Sequence, residues 1–207
     1  MTELQPTDRP PHGCVVFDRP DEHLRVIAQH LAGGLRVGRR AVALIDAVAP
    51  DELAHALDEE GVDVAQQTAH GALQVASARA TYLQGGRFDP VAIVDLFSSK
   101  LHEARTAGYR GLSAAGEMTW ALEGFPGAER LVEYEWTLNG TVFRSPHVSG
   151  LCTYDSRRFS ADLLRDIERV HPIVVSTFRA MHQLPAHPGD GVPARPASGE
   201  RRSASGA

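Results

Sequence analysis

The chain has 207 residues, of which 43% are hydrophobic and 23% charged, and its formal net charge is −5. This length is sufficient for one domain with a full hydrophobic core. The acidic balance argues against a general nucleic-acid binder, which needs a basic face, so no direct nucleic-acid partner is predicted. The sequence shows neither a signal peptide nor an apolar run long enough to span a membrane. It therefore predicts a cytoplasmic protein without membrane contact.

Apolar runs and helical periodicity alternate along the chain. Short apolar runs predict strands at residues 13–17, 41–45, 73–76, 109–115, 148–154 and 173–175. Helices are predicted between them, at residues 24–32, 50–60, 90–107, 118–122, 128–138 and 161–170. Strands that are apolar throughout are typical of sheets covered on both faces. The pattern therefore predicts a three-layer α/β fold with a mostly parallel sheet and helices on both faces.

Composition divides the chain into three parts. Residues 1–11 are polar and rich in proline, which predicts a flexible N-terminus. Residues 12–184 are expected to form one domain. Residues 185–207 contain mostly Pro, Gly, Ala, Ser and Arg, which predicts a disordered tail.

The turn after the first predicted strand is where nucleotide-binding α/β proteins cradle phosphate. A phosphate-binding loop needs the pattern G-x-x-x-x-G-K-[ST], because backbone N–H groups and a lysine must surround the anion. Residues 18–23 read DRPDEH, with three acidic side chains and neither glycine nor lysine. The sequence therefore argues against nucleotide hydrolysis, and it predicts no cofactor and no catalytic residue.

Four thiol and imidazole side chains could meet near the first strand. His12 and Cys14 point to one face of a regular strand, Cys152 lies on a later strand, and His171 ends a helix. Such a set could hold zinc, but no pair has the C-x-x-C or H-x-x-x-H spacing that makes metal binding specific. The favoured interpretation is two buried, reduced cysteines and two hydrogen-bonded histidines, without a metal.

A second candidate site follows the fourth predicted strand, because ligands of open α/β sheets bind outside the carboxyl ends of the strands. Glu117 and Trp120, with Tyr134 and Glu135 further on, could line a small apolar pocket with one polar anchor. The equal alternative is that Glu117 caps a helix and Trp120 packs in the core. Six other histidines lack partners at ligand spacing and are expected to be solvated: His23, His30, His55, His70, His102 and His182.

Several short stretches carry a resemblance through their order and spacing. They are His12-Gly13-Cys14, Gly61-Val62-Asp63-Val64, Gly71-Ala72-Leu73, Tyr82-Leu83-Gln84-Gly85-Gly86-Arg87-Phe88, Gly108-Tyr109-Arg110-Gly111, Gly116-Glu117-Met118-Thr119-Trp120, Tyr134-Glu135, Leu151-Cys152-Thr153-Tyr154-Asp155 and His171-Pro172. Together they resemble the MEDS domain, a methanogen/methylotroph sensory domain, over residues 12–180. The resemblance implies a RecA/KaiC-like, P-loop NTPase-like core that has lost its Walker A loop.

The resemblance also implies a non-enzymatic prokaryotic sensor that recognises a simple hydrocarbon derivative and regulates transcription through a partner, such as a sigma-factor regulator or kinase. Two alternatives stay open: a protein-interaction regulator of an anti-sigma-factor or kinase system with a vestigial ligand site, and a KaiC-like nucleotide-binding enzyme. A homodimer is also considered. The residues and the resemblance together give these candidate ligand-binding residues: His12, Cys14, Arg19, Glu117, Trp120, Tyr134, Glu135, Cys152, Tyr154 and His171.

Overall fold

A computed structural model describes residues 12–176 of the chain. Three predictions fall outside these residues: the flexible N-terminus at 1–11, the end of the predicted domain at 177–184, and the disordered tail at 185–207.

Six strands form one sheet within the described residues, and every neighbouring pair runs parallel. In chain order they are β1 (His12–Phe17), β2 (Arg40–Ile45), β3 (Leu73–Ser77), β4 (Leu112–Glu117), β5 (Val148–Asp155) and β6 (Ile173–Ser176). Their order across the sheet is β3-β2-β4-β5-β1-β6. The prediction of a mostly parallel sheet is confirmed.

Seven α-helices connect these strands in the described part of the chain. They are α1 (Pro20–Arg36), α2 (Pro50–Glu59), α3 (Val64–Ala69), α4 (Ala78–Tyr82), α5 (Pro90–Thr106), α6 (Leu131–Gly140) and α7 (Ala161–Val170). Proline begins α1, α2 and α5, where its missing N–H would have no partner in any case. Side-chain oxygens cap the starts of α3, α4, α5 and α7 by accepting backbone N–H groups, and they belong to Asp63, Ser77, Asp89 and Ser160.

Helices cover both faces of the sheet. On one face, α1 and α2 pack against strand residues such as Val15 and Ile45. On the other face, α4 to α7 pack against residues such as Val16 and Tyr154. Successive strand residues point to opposite faces. Both faces are buried along β1, β2, β4 and β5, so these strands are mostly apolar, whereas most of the edge strand β3 is exposed. The predicted three-layer α/β fold is confirmed.

The structure differs from the sequence prediction mainly in short elements. The sequence does not predict α3 and α4, which have only six and five residues. β4 begins at Leu112 rather than at 109. Gly111, just before it, lies so close to His147 that a Cβ atom would overlap the His147 carbonyl oxygen. The predicted helix at 118–122 is a 3₁₀ turn, Thr119–Leu122. No described helix has the length and apolar character needed to cross a membrane.

Candidate functional site

A cavity of about 490 Å³ lies at the carboxyl ends of β1, β2, β4 and β5. Its lining comes from the segments that follow these strands and from the first turns of α1 and α2: Phe17, Pro20, Asp21, His23, Leu24, Ala47, Val48, Glu52, Thr119, Asp155, Arg157 and Arg158. Open parallel sheets place ligands at this edge, where strand ends and helix N-termini converge. The cavity includes the turn in which a nucleotide-binding protein would carry its phosphate loop.

Glu117, the last residue of β4, is buried and holds the loop after β2. Its Oε2 accepts the backbone N–H groups of Asp46 and Ala47, each at 2.6 Å, and its Oε1 accepts that of Val48 at 3.1 Å. Burial raises the pKa of Glu117, and the three N–H donors offset part of that rise. Glu117 therefore shapes the wall of the cavity by fixing Ala47 and Val48, and does not line the cavity itself.

His23, in the first turn of α1, forms part of the cavity floor. Its ring stacks on Phe17 with 3.9 Å between ring centroids, and its Nε2 lies 2.9 Å from the Thr153 hydroxyl. That hydroxyl donates its single proton to the carbonyl of Gly116 at 3.3 Å, so His23 donates from Nε2. Burial lowers the pKa of His23 to about 4, which keeps the ring neutral in neutral solution.

Charges of both signs surround the cavity. Asp155 pairs with Arg157 at 2.7 Å, and this contact holds the pKa of Asp155 below its usual value. Asp21 and Glu52 lie in the first turns of α1 and α2. Acidic side chains at a helix N-terminus interact with the positive end of the helix dipole, which would otherwise attract an anion. These two carboxylates therefore disfavour an anion at the starts of α1 and α2, while Arg157 and Arg158 bring positive charge to the same cavity.

Six of the ten candidate residues meet in a buried cluster on the other face of the sheet. β1 and β5 place Cys14 beside Cys152 in register, and the cluster also contains His12, Glu135, Tyr154 and His171. His12 and Phe17 stand at opposite ends of β1, about 16 Å apart at the rise of a strand. The cluster therefore lies on the opposite face of the sheet from the cavity, and its His12 lies at the opposite end of β1.

Burial controls the protonation of this cluster. It lowers the pKa of His12 to about 4 and raises the pKa of Cys152 to about 12. Burial also opposes charge on Glu135 and His171. Contact with His171 nevertheless holds the pKa of Glu135 below its usual value, and contacts with Cys14, Cys152 and then Glu135 raise the pKa of His171. Without a bound ion, the cluster contains one carboxylate, one imidazolium, one neutral imidazole and a Cys152 thiol.

Trp120 and Tyr134 belong to a buried aromatic cluster. Trp120 stacks on Tyr82 with 4.8 Å between ring centroids, and Phe88 contacts Trp120 at 4.5 Å and Tyr134 at 5.3 Å. These contacts fit the core-packing alternative for Trp120. Arg19, the remaining candidate, is exposed on the surface and pairs with Asp21 at 2.9 Å.

Two histidines contradict the expectation of solvation. His23 is only 2% exposed, and His30 is half-buried with its Nε2 3.1 Å from the Ser113 hydroxyl. The sequence contains a signal for His23, because His23, Ile27 and Leu31 recur every four residues on the buried side of α1. A histidine in line with an apolar helix face is a better candidate for a buried site than one judged alone.

The fold and the cavity together define a KaiC-like α/β domain with a ligand-sized space at the carboxyl ends of its strands. In agreement with this class, the structure is similar to the crystal structure of a KaiC-like protein from Pyrococcus horikoshii OT3, with a TM-score of 0.53 and 11% sequence identity. The alignment covers 81% of this chain and 71% of the other. The predicted RecA/KaiC-like fold is confirmed.

The sequence comparison identifies the family. Residues 11–172 match the MEthanogen/methylotroph, DcmR Sensory domain, so the chain belongs to the MEDS family. The transcriptional repressor DcmR of Methylorubrum extorquens strain DM4 is 25% identical over 162 residues. That match covers 77% of this chain and 57% of the repressor. The protein therefore has a sensory domain of the kind found in regulators.

Proposed function

We propose that this MEDS domain senses a small, weakly polar hydrocarbon derivative that binds in the cavity at the carboxyl ends of β1, β2, β4 and β5. Ligand binding alters contact with a regulatory protein partner, and the ligand itself undergoes no reaction. The observation that carries the proposal is the 490 Å³ cavity, which includes the turn where a related nucleotide-binding fold holds phosphate.

The lining supports a ligand that is mainly apolar. Phe17 and the stacked ring of His23 form one side, and Leu24 and Val48 add aliphatic surface. Seven of the twelve lining residues have polar or ionisable side chains, among them Thr119 and the Asp155–Arg157 pair, so the ligand also meets groups that can orient it. Pockets of this kind bind by apolar burial and use a few polar contacts to orient the ligand.

The loop after β2 supports a route from the ligand to the surface. Ala47 and Val48 line the cavity, and α2 begins two residues later at Pro50. Because the loop is held by the Glu117 carboxylate, a ligand that presses on Val48 changes the balance of these hydrogen bonds. The position of α2 is then the signal that a partner reads.

A thermal-shift panel tests the proposal with the purified chain. The probes are ethanol, acetate, dichloromethane and ATP with Mg²⁺. The proposal expects a dose-dependent rise in Tm with a neutral organic probe and no rise with ATP. Stabilisation by ATP alone would instead favour the nucleotide-binding enzyme.

A regulator that acts by protein contact alone is the second candidate function. Trp136 favours it, because this large side chain is 67% exposed on α6, and tryptophan is a frequent anchor of protein interfaces. A pull-down with the wild-type chain and with Trp136→Ala tests this candidate. Capture of a regulator by the wild type alone, unaffected by any probe of the panel, would favour contact without a ligand.

A further inference from the structure

We propose that His12, Glu135, Cys152 and His171 form a metal-binding site, here called the four-donor cluster, for a divalent transition-metal ion with Zn²⁺ foremost. Their Nε2, carboxylate and Sγ atoms all lie within 4.8 Å of one another, and all four residues are buried. The cluster lies on the opposite face of the sheet from the proposed ligand cavity, and it shares no residue with the lining of that cavity.

The separations of the donor atoms match the edges of a metal tetrahedron. Bond lengths near 2.0–2.3 Å to nitrogen, oxygen and sulfur place tetrahedral zinc ligands about 3.3–3.8 Å apart. Glu135 Oε2 lies 3.5 Å from His12 Nε2, 3.4 Å from His171 Nε2 and 3.6 Å from Cys152 Sγ. Cys152 Sγ also lies 3.4 Å from His12 Nε2. Four of the six edges therefore have the required length.

The two histidine–carboxylate distances are long for hydrogen bonds, although both contacts of Cys152 Sγ are within the range of hydrogen bonds to sulfur. A charged imidazole–carboxylate hydrogen bond is about 2.7–2.9 Å long, whereas both histidines lie at least 3.4 Å from Glu135 Oε2. His171 Nε2 is a buried nitrogen without a hydrogen-bond partner among the described residues. A buried nitrogen of this kind normally has a partner. A metal ion between the four side chains supplies it.

A hydrogen-bond chain fixes the ring of His12 as a ligand. Asn139 Nδ2 donates to the carbonyl oxygen of Val170 at 2.5 Å, which turns the amide oxygen of Asn139 toward His12. That oxygen accepts a hydrogen bond from Nδ1 of His12 at 2.9 Å. With Nδ1 donating to Asn139, the other ring nitrogen, Nε2, is the one available to coordinate a metal ion in the cluster.

The other donors have equivalent support. His171 Nδ1 donates to the carbonyl oxygen of Ile167 at 2.8 Å, so its Nε2 is the coordinating atom. The Tyr154 hydroxyl donates to Glu135 Oε1 and leaves Oε2 for the metal. Such outer partners accompany nearly all metal-bound histidines and orient the ligands.

The donor set specifies both the metal and its role. Two imidazoles, one thiolate and one carboxylate suit Zn²⁺, and the thiolate and carboxylate together cancel its charge in a dry interior. Four protein ligands leave no open position, which is typical of a structural site. The ion would link β1, β5, α6 and the end of α7, and so fix β6 against the sheet.

Metal analysis of the wild-type chain is the first test, after removal of any affinity tag. The proposal expects about one zinc per chain, with a lower Tm after chelation that zinc restores. Reconstitution with Co²⁺ should give the intense visible bands of tetrahedral cobalt and a thiolate-to-cobalt charge-transfer band. If the chain takes up neither ion and its Tm does not change with chelator, the four side chains form a buried ion-pair cluster without a metal. That result would overturn the proposal.

Two cysteine variants test the assignment of donors. Cys152→Ser should lose the charge-transfer band and at least 100-fold in zinc affinity. Cys14→Ser changes the adjacent buried thiol, which contacts His171 but lies outside the four-donor set, so it should keep the band while zinc affinity falls much less than in Cys152→Ser. Circular dichroism establishes that both variants are folded. If Cys14→Ser abolishes the band and Cys152→Ser keeps it, the assignment of Cys152 is wrong.

Discussion

The carboxylate of Glu117 at the end of β4 accepts the backbone N–H of Val48 from the loop after β2, at 3.1 Å. The same carboxylate accepts the N–H groups of Asp46 and Ala47, so one buried side chain orders three successive residues, of which Ala47 and Val48 line the cavity. Glu117, a candidate ligand-binding residue in the sequence, thus positions two residues that line the cavity without lining it itself.

Glu117→Gln should destabilise the protein by about 2–3 kcal/mol, because an amide presents only one acceptor oxygen and leaves buried N–H groups unpaired. Urea unfolding measures this change in the free energy of unfolding. The exposed Glu103→Gln serves as the control and should stay within about 0.5 kcal/mol of the wild type. Equal stability of the two variants would show that the loop does not depend on Glu117.

Gly150→Ala should destabilise the protein by roughly 1–3 kcal/mol through overpacking. Gly150 lies opposite His12 in the β1–β5 ladder, and a Cβ atom there would overlap the ring of Phe143, which stacks on His12 at 4.1 Å. Gly33→Ala is the matched control and should stabilise the protein, because Gly33 lies within α1 and nothing lies within 4 Å of its Cβ position. Thermal unfolding of the two variants should therefore shift in opposite directions.

Stability should fall as the pH drops from 6.5 toward 4. Burial lowers the pKa of both His23 and His30 from 6.5 to about 4. As the pH falls, both imidazoles therefore bind a proton in the unfolded chain before they do so in the folded protein. The free energy of unfolding that is present above pH 6.5 is lost as the pH approaches 4. Around His23, Asp155 opposes the shift and Glu117 lies 3.9 Å away.

His23→Gln tests this pH dependence, because its amide nitrogen retains a donor for Thr153. Between pH 6.5 and pH 4, the free energy of unfolding of the variant should fall by about 2–3 kcal/mol less than that of the wild type. Denaturant unfolding at several pH values measures the slope. The exposed His55→Gln should leave the slope as in the wild type, and a slope unaffected by His23→Gln would contradict the assignment of a buried neutral ring.

Asn139→Ala should weaken zinc binding by about 10–100-fold without removing a ligand, since outer partners orient metal-bound histidines. The variant loses the hydrogen bond that fixes His12 and the donor to Val170. Competition with a zinc-binding dye measures the affinity. Thr137→Ala, a control on the same helix, removes only a hydrogen bond to the carbonyl oxygen of Glu133 and should bind zinc as the wild type does.

The larger elements were predictable because buried parallel strands leave a clear sequence pattern. The apolar runs at Val15 and Ala43 and the proline starts at Pro50 and Pro90 correspond to observed strands and helices. By contrast, α3 has no fully buried residue and is too short to show a helical period. Its formation depends on the Asp63 cap and on tertiary contacts.

The site was predictable in part. The alternation of side chains along β1 places His12 and Cys14 on one face, and the observed register of β1 and β5 sets Cys152 beside Cys14. The position of Glu135 depends on how α6 is rotated against the sheet, and this helix is apolar on several sides. Sequence spacing therefore names Glu135 as a candidate without showing that it lies beside His171.

The most direct measurement of the central claim is calorimetric titration of the wild type, Ala47→Trp and Ala69→Trp with the neutral probe that raises Tm most. Ala47 is exposed to the cavity, whereas Ala69 is exposed at the end of α3, away from the lining. The sensor proposal predicts binding by the wild type and Ala69→Trp, with at least about a tenfold loss for Ala47→Trp, equal to 1.4 kcal/mol. Equal affinity in all three proteins, or no binding by the wild type, would contradict it.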